Sequence, residues 1–295
     1  MHKLLKIYSV ITSIGMLIVL LQGALVTKTG SGEGCGATWP LCFGELIPTS
    51  PAIETIIEYS HRIVSGLLGI MVIILAIWTW RKLSHVRETK FMAIMAILFI
   101  MFQGFLGAGA VVWGQSHAVL ALHFGISAIS FATVVLLTVL VFEDGKRNVP
   151  APVVSKGFKY YAIFVITYCY IVIYTGAYVK HTNATLACTG FPLCNGEVLP
   201  ELSGPVGAHF SHRVFGTLLL IFIFILFILV LRNYRHSKVL VWSSSLALLF
   251  VIAQLVSGIS IIFLGNTLTV SLLHALIISL LFASLSYLTM VILRK

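Results

Sequence analysis

Eight long apolar segments constrain the fold of this chain more than any other feature. Each is close to the roughly 20 residues that an α-helix needs to cross about 30 Å of hydrocarbon. A transmembrane barrel strand is about half as long and alternates apolar with polar residues. The segments lie at about 7–26, 63–80, 91–113, 118–142, 160–179, 214–231, 239–264 and 268–293. The sequence therefore predicts an all-α integral membrane protein with eight transmembrane helices.

The composition supports a membrane location and argues against a soluble protein. Hydrophobic residues make up 59% of the chain and charged residues only 9%, with a mean hydropathy of +1.05. So few polar side chains are not enough to cover the surface of a soluble globular protein. The formal charge of +10 is placed mainly in loops, where it is expected to face anionic lipid headgroups rather than a nucleic acid.

The distribution of lysine and arginine predicts the orientation. Loops with many lysines and arginines stay on the cytoplasmic side, so both termini are expected to be cytoplasmic and the protein to lie in the cytoplasmic membrane. The opposite, outer side has only Lys28, Arg62, Lys180 and Arg213. The predicted cytoplasmic set is Lys3, Lys6, Arg81, Lys82, Arg87, Lys90, Lys146, Arg147, Lys156, Lys159, Arg232, Arg235, Lys238, Arg294 and Lys295.

The two halves of the chain repeat each other at a shift of about 151 residues. Ser60-His61-Arg62 returns as Ser211-His212-Arg213, and His123 matches His274. Because the repeat contains an even number of helices, both halves must cross the membrane in the same sense, as two parallel four-helix bundles. The predicted division is 1–145 for the first bundle, 146–159 for a linker and 160–295 for the second bundle.

Four histidines fall inside or at the outer ends of predicted helices 2, 4, 6 and 8: His61, His123, His212 and His274. An ionisable group there is costly and indicates a functional site, although a neutral histidine can simply bond a neighbouring helix. His61 and His123 are expected at one depth, as are His212 and His274. Two such imidazoles suit the two axial positions of a haem iron, whereas zinc prefers three or four clustered ligands. A metal ion bridged by Glu58 and His61 is the alternative.

Arg62 and Arg213 directly follow two of these histidines. A guanidinium suits a carboxylate, so contacts with haem propionates at the outer face are predicted. The alternative is that both arginines reach lipid phosphates.

The outer loop of each half carries a cysteine pair. Cys35 and Cys42 lie in the first loop, and Cys188 and Cys194 lie in the matching loop. An oxidising exterior favours disulfides, so the bonds Cys35–Cys42 and Cys188–Cys194 are expected.

Several motifs resemble the haem A synthase family of the Bacillus type, over nearly the full length. They are GALVTKTGSGEGCGATWPLC at 23–42, EYSHR at 58–62, ALHFG at 121–125 and TGAYVKHT at 175–182. The resemblance implies oxidation of the C8 methyl group of haem O to a formyl group by successive hydroxylations. It also implies that His61 and His123 hold the substrate haem O, while His212 and His274 hold a haem b cofactor.

Glu58 distinguishes the first half of the chain from the second, in which the matching residue is His209. Residues three apart on a helix share a face, so Glu58 is expected beside His61 and near the porphyrin. There it is predicted to accept or donate a proton during the oxidation. The alternative is a hydrogen bond to an outer-loop group.

Two other functions fit the histidine pairs. One is a dihaem b-type membrane cytochrome that only transfers electrons, and the other is a haem transporter or chaperone. If the chain is a synthase, haem O synthase is a plausible donor of its substrate and a terminal oxidase is the recipient of haem A. The sequence does not identify the electron-transfer partner.

Overall fold

The computed structural model describes residues 2–114, 116–144 and 152–294. Within these residues it has eight α-helices long and apolar enough to cross a membrane, and no strand. The predicted all-helical membrane protein is thereby confirmed; the parallel repeat and the cytoplasmic termini stay predictions. The helices are α1 (Lys3–Thr29), α2 (Ile53–Lys82), α3 (Arg87–Val112), α4 (His117–Glu143), α5 (Lys156–His181), α6 (Gly204–Asn233), α7 (Lys238–Phe263) and α8 (Leu268–Leu293).

The chain divides into two compact units, the first unit being Met1–Asn148 and the second unit Val149–Lys295. In the first unit α1 packs against α2 and α4, and α3 packs against α2 and α4. In the second unit α5 packs against α6 and α8, and α7 packs against the same two helices. Each unit is therefore a four-helix bundle. Residues 146–151 of the predicted linker and Lys295 lie outside the described residues, and α5 begins within that linker, at Lys156.

Helices α2 and α6 begin about ten residues before the apolar segments that predict them. They start at Ile53 and Gly204, whereas the apolar runs start at 63 and 214. Their first turns carry polar side chains that a hydropathy search excludes, although two of these, Glu58 and His209, are buried. The histidines of these helices consequently lie more than two turns inside a helix and not at its start.

Hydroxyl groups tie the helices of each bundle together away from the histidines. In the first unit Thr138 Oγ1 donates to the carbonyl oxygen of Ser9 (3.0 Å), and Tyr8 OH donates to that of Met71 (3.1 Å). In the second unit Tyr161 OH on α5 donates to a backbone carbonyl oxygen of α6 (2.9 Å). Such interhelical bonds help to hold bundles in a medium where apolar burial gives little drive between helices.

Candidate functional site

The structure places the two histidines of each unit at the same end of its bundle. Consecutive helices joined by short loops run antiparallel, so α2 and α4 run in one direction, as do α6 and α8. His61 and His123 are close enough to interact electrostatically, and so are His212 and His274. His61 and His212 each lie eight residues after the first residue of their helix. His123 and His274 each lie six residues after the first residue of theirs.

Each of these imidazoles lies against a glycine of the preceding helix. A Cβ atom added at Gly23 or Gly176 would approach the Cε1 atom of the histidine more closely than ordinary van der Waals contact, whereas at Gly107 and Gly258 it would lie at or near ordinary contact distance. The distances from that Cβ position to Cε1 are 3.3 Å for Gly23 and His61, 3.6 Å for Gly107 and His123, 3.0 Å for Gly176 and His212, and 3.4 Å for Gly258 and His274. Each ring therefore lies directly against a glycine, a place called a glycine notch below, and the approach is tightest at Gly176.

Hydroxyl groups hold both imidazoles of the second unit. Thr175 Oγ1 lies 2.8 Å from His212 Nδ1, and Ser257 Oγ lies 2.8 Å from His274 Nδ1. Each hydroxyl also donates to the carbonyl three residues earlier on its own helix, at 2.8 and 2.9 Å. Because a hydroxyl has only one hydrogen, it must accept from Nδ1–H. This network assigns the Nδ1–H tautomer to both rings and leaves Nε2 unprotonated, with the lone pair that a metal requires.

The side chain of Gln254 supports this assignment. Its Nε2 amide lies 2.9 Å from His274 Nε2. An amide nitrogen only donates, so His274 Nε2 must be the acceptor. It is the same lone pair with which a neutral imidazole ligates a metal.

The histidines of the first unit are held less firmly. Ser65 Oγ lies 3.5 Å from His61 Nδ1, at the limit of a hydrogen bond, and donates to the carbonyl of His61 itself at 2.5 Å. His123 Nδ1 is buried and has no partner among the described residues. Gln103 Nε2 binds only the backbone carbonyl of His123, at 2.9 Å.

The arrangement of the four rings fits two haems better than it fits an isolated metal ion. Each unit offers two imidazoles, seated in glycine notches, at one end of a four-helix bundle. Among residues 2–114, 116–144 and 152–294, no three His, Cys, Asp or Glu side chains come together in a group that could hold a metal ion. A pair of imidazoles can occupy the two axial positions of an iron inside a porphyrin.

Glu58 and Arg62 anchor the loop between α1 and α2. Glu58 is 3% exposed, and its Oε2 accepts from the Cys35 amide at 2.8 Å. Its Oε1 accepts from Arg62 Nε at 3.0 Å and pairs with Nη2. Arg62 Nη1 donates to the carbonyl oxygens of Thr38 (2.6 Å) and Leu41 (2.9 Å). The outer-loop bond, the alternative for Glu58, is present, while its proton role and the propionate contact of Arg62 stay predictions.

His209 and Arg213 anchor the loop between α5 and α6 in a similar way. The Cys188 amide donates to His209 Nδ1 at 3.2 Å, and Arg213 Nε lies 3.4 Å from His209 Nε2. A neutral imidazole has only one acceptor nitrogen, so His209 cannot satisfy both donors as the carboxylate of Glu58 does. Arg213 instead binds the carbonyl oxygens of Gly190 (2.6 Å) and Cys188 (2.8 Å). Its propionate contact also stays a prediction.

Each anchored loop contains a disulfide. Cys35 is bonded to Cys42, and Cys188 is bonded to Cys194, with Cα atoms 4.5 Å and 4.8 Å apart. One cysteine of each pair supplies the amide that binds Glu58 or His209. The disulfide loops are thus attached to the helices that carry His61 and His212.

Sequence reasoning did not assign roles to Thr175, Ser257 and Gln254, nor to the glycines. The repeat contained a signal for some of them, because Gly107 and Gln103 recur as Gly258 and Gln254. The two hydroxyl residues differ between the halves, and the repeat therefore does not point to them.

The fold defines the class of this protein as a multi-pass helical membrane protein, with two imidazoles at one end of each bundle. The family model described as cytochrome oxidase assembly protein, COX15-CtaA, matches residues 6–286. The chain belongs to this family.

Curated relatives extend the similarity over the whole chain. It is 70% identical to a protein named heme A synthase of Alkalihalophilus pseudofirmus over 294 residues, which cover 100% of this chain and 99% of the relative. The same name and identity apply to a relative from Halalkalibacterium halodurans over 295 residues, with the same coverage. A heme A synthase of Bacillus cereus is 47% identical over 98% of this chain and 94% of the relative.

Proposed function

We propose that this chain is a haem A synthase, which oxidises the C8 methyl group of haem O to a formyl group by successive hydroxylations. The observation that carries the proposal is the occurrence, in each unit, of two imidazoles in glycine notches at one end of the bundle. The names of the full-length relatives support the same activity.

In this proposal the two units hold haem for different purposes. His61 and His123 bind the substrate haem O in the first unit, and His212 and His274 retain haem b in the second unit. Haem b, when bound, supplies redox chemistry. The protein supplies orientation, through the glycine notches, and acceptors for protons.

Glu58 is the residue that we assign to proton handling. It lies three residues before His61, on the same face of α2, and the second unit has His209 at the matching place. Its carboxylate is fixed by the Cys35 amide and by Arg62. A carboxylate held in one position beside the substrate accepts a proton without a conformational search.

We also propose a location for the haem sites and two partner proteins. The haem sites face the outer side of the cytoplasmic membrane. Haem O synthase hands over the substrate, and a terminal oxidase receives the product, since both haems are poorly soluble in water.

Identification of the bound haems tests the proposal. The full-length protein is produced with and without haem O synthase, and its haems are extracted, separated and weighed by mass spectrometry. With haem O supplied, we expect haem A to form and haem B to be retained. Haem B alone under every condition would favour the electron-transferring cytochrome. Haem O that is bound and released without being oxidised would favour a transporter. Either result contradicts the synthase.

A further inference from the structure

The hydroxyl groups that hold the histidines of the second unit have no counterparts in the first. Thr175 and Ser257 each directly precede the glycine that faces their histidine. At the matching places of the first unit the residues are Gln22 and Leu106. Leucine has no hydrogen-bonding group, and Gln22 Oε1 is buried without a partner in the part of the chain that the structure describes.

The difference acts on the nitrogen that a metal does not use. In the second unit Nδ1 of each histidine is 2.8 Å from a hydroxyl of the neighbouring helix, which itself is fixed by a backbone carbonyl. In the first unit the nearest hydroxyl to His61 Nδ1 is 3.5 Å away on the same helix, and His123 Nδ1 has no partner among the described residues. A bonded Nδ1–H fixes the orientation of the ring and increases the basicity of Nε2.

We propose that Thr175 and Ser257 are positioning residues that make the second unit retain its haem, and that their absence makes the first unit the one that exchanges its haem. The inference rests on the proposed function, in which a substrate haem must leave as product while a cofactor haem stays. The same fold thereby serves both purposes through the residue before a glycine.

Haem release from full-length variants measures the effect in one unit at a time. In a background of His61→Ala and His123→Ala, all histidine-ligated haem is in the second unit. Transfer of haem B to excess apomyoglobin is followed by absorbance. Thr175→Val and Ser257→Ala are each expected to release haem about tenfold faster, because loss of such an outer partner typically lowers metal affinity about 10- to 100-fold.

The chain offers matched controls on or beside the same helices. Ser260 on α7 and Thr182 at the end of α5 have hydroxyls that donate to carbonyls of their own helices, at 2.9 and 2.8 Å. Ser260→Ala and Thr182→Val should release haem at the unaltered rate. Thr175→Ser and Ser257→Thr, which keep the hydroxyl, should restore slow release.

The reverse substitution tests the first unit. In a background of His212→Ala and His274→Ala, Leu106→Ser introduces a hydroxyl where Ser257 stands in the second unit. It should slow the release of haem O. The ferric low-spin electron paramagnetic resonance signal should also shift in Thr175→Val, which a purely structural role of the residue would not produce.

Two results would overturn the inference. One is release from Thr175→Val and Ser257→Ala at the rate of their controls, and the other is an unchanged rate in Leu106→Ser. Neither depends on catalysis: if haem O is never converted but the rates differ as described, the synthase proposal fails alone. If haem A forms and the rates do not differ, only the positioning role fails.

Discussion

Glu58 and His209 occupy matching places in the two units, each between a cysteine amide and an arginine. The carboxylate accepts from both neighbours, with separations of 2.8 Å to the amide and 3.0 Å to Nε of Arg62. The imidazole is farther from both, at 3.2 and 3.4 Å. Loop anchoring is therefore shared by the two residues, whereas of the two only Glu58 is a carboxylate.

Glu58→Gln separates proton handling from loop anchoring. The amide oxygen of glutamine still accepts a hydrogen bond from Cys35, but the side chain no longer accepts a proton. We expect haem A formation to fall on the order of 100-fold, within the usual contribution of a positioned acid or base, with haem content unchanged. The measurement is the ratio of haem A to haem O in extracts.

Glu58→His is the matched control, since it copies the second unit and keeps a partner for the Cys35 amide. It should lose activity to a similar extent and still bind haem. If Glu58→Gln, which has no proton acceptor, makes haem A at the normal rate, the carboxylate has no proton role and Glu58 only anchors the loop.

The helices show how far the sequence predicts this fold. Six of the eight begin within about four residues of their predicted starts, because an apolar segment long enough to span a bilayer is nearly always helical. Helices α2 and α6 extend about ten residues further, to Ile53 and Gly204. These added turns contain Glu58 and His209, which bond loop amides, and a local search of hydropathy does not detect such contacts.

The candidate site is predictable only in part, because the sequence shows which residues recur but not which side chains touch. The histidines were found because they recur in the repeat and because an imidazole within the membrane needs an explanation. Thr175 and Ser257 were not found, since serine and threonine are common in such helices and bond their own backbone as a rule. Whether they also reach a histidine depends on the rotation of neighbouring helices.

Gly176→Ala tests the notches at the scale of helix packing. The added Cβ would lie 3.0 Å from His212 Cε1 and displace the ring from Thr175. We expect haem B to leave the second unit about tenfold faster, the lower range for loss of an outer partner. The rate of transfer to apomyoglobin provides the measurement.

Gly157→Ala is the control on the same helix, because a Cβ there meets nothing within 4 Å. Alanine also favours a helix over glycine by up to about 1 kcal/mol, so this variant should retain haem fully. Equal haem retention by the two variants would mean that the notch at Gly176 does not position His212.

For the whole molecule, two compact units with one histidine pair each predict two haems per chain. The double variant His212→Ala with His274→Ala should bind half as much haem as the unaltered protein, and so should His61→Ala with His123→Ala. Haem per chain is measured by the pyridine haemochrome method. His236→Ala, at an exposed position between α6 and α7, should leave the content unchanged, while complete loss from either double variant would contradict separate sites.

Replacing a carboxylate by an imidazole beside Arg213 also changes the balance of charge in the second unit. Arg62 has a counterion within the protein, Glu58, whereas no ion pair with Arg213 is found among the described residues. A guanidinium near the membrane without a fixed counterion attracts an anionic ligand. A dicarboxylic porphyrin brings that counterion with it, so filling the second unit would also neutralise its charge, and an empty second unit would be the less stable form.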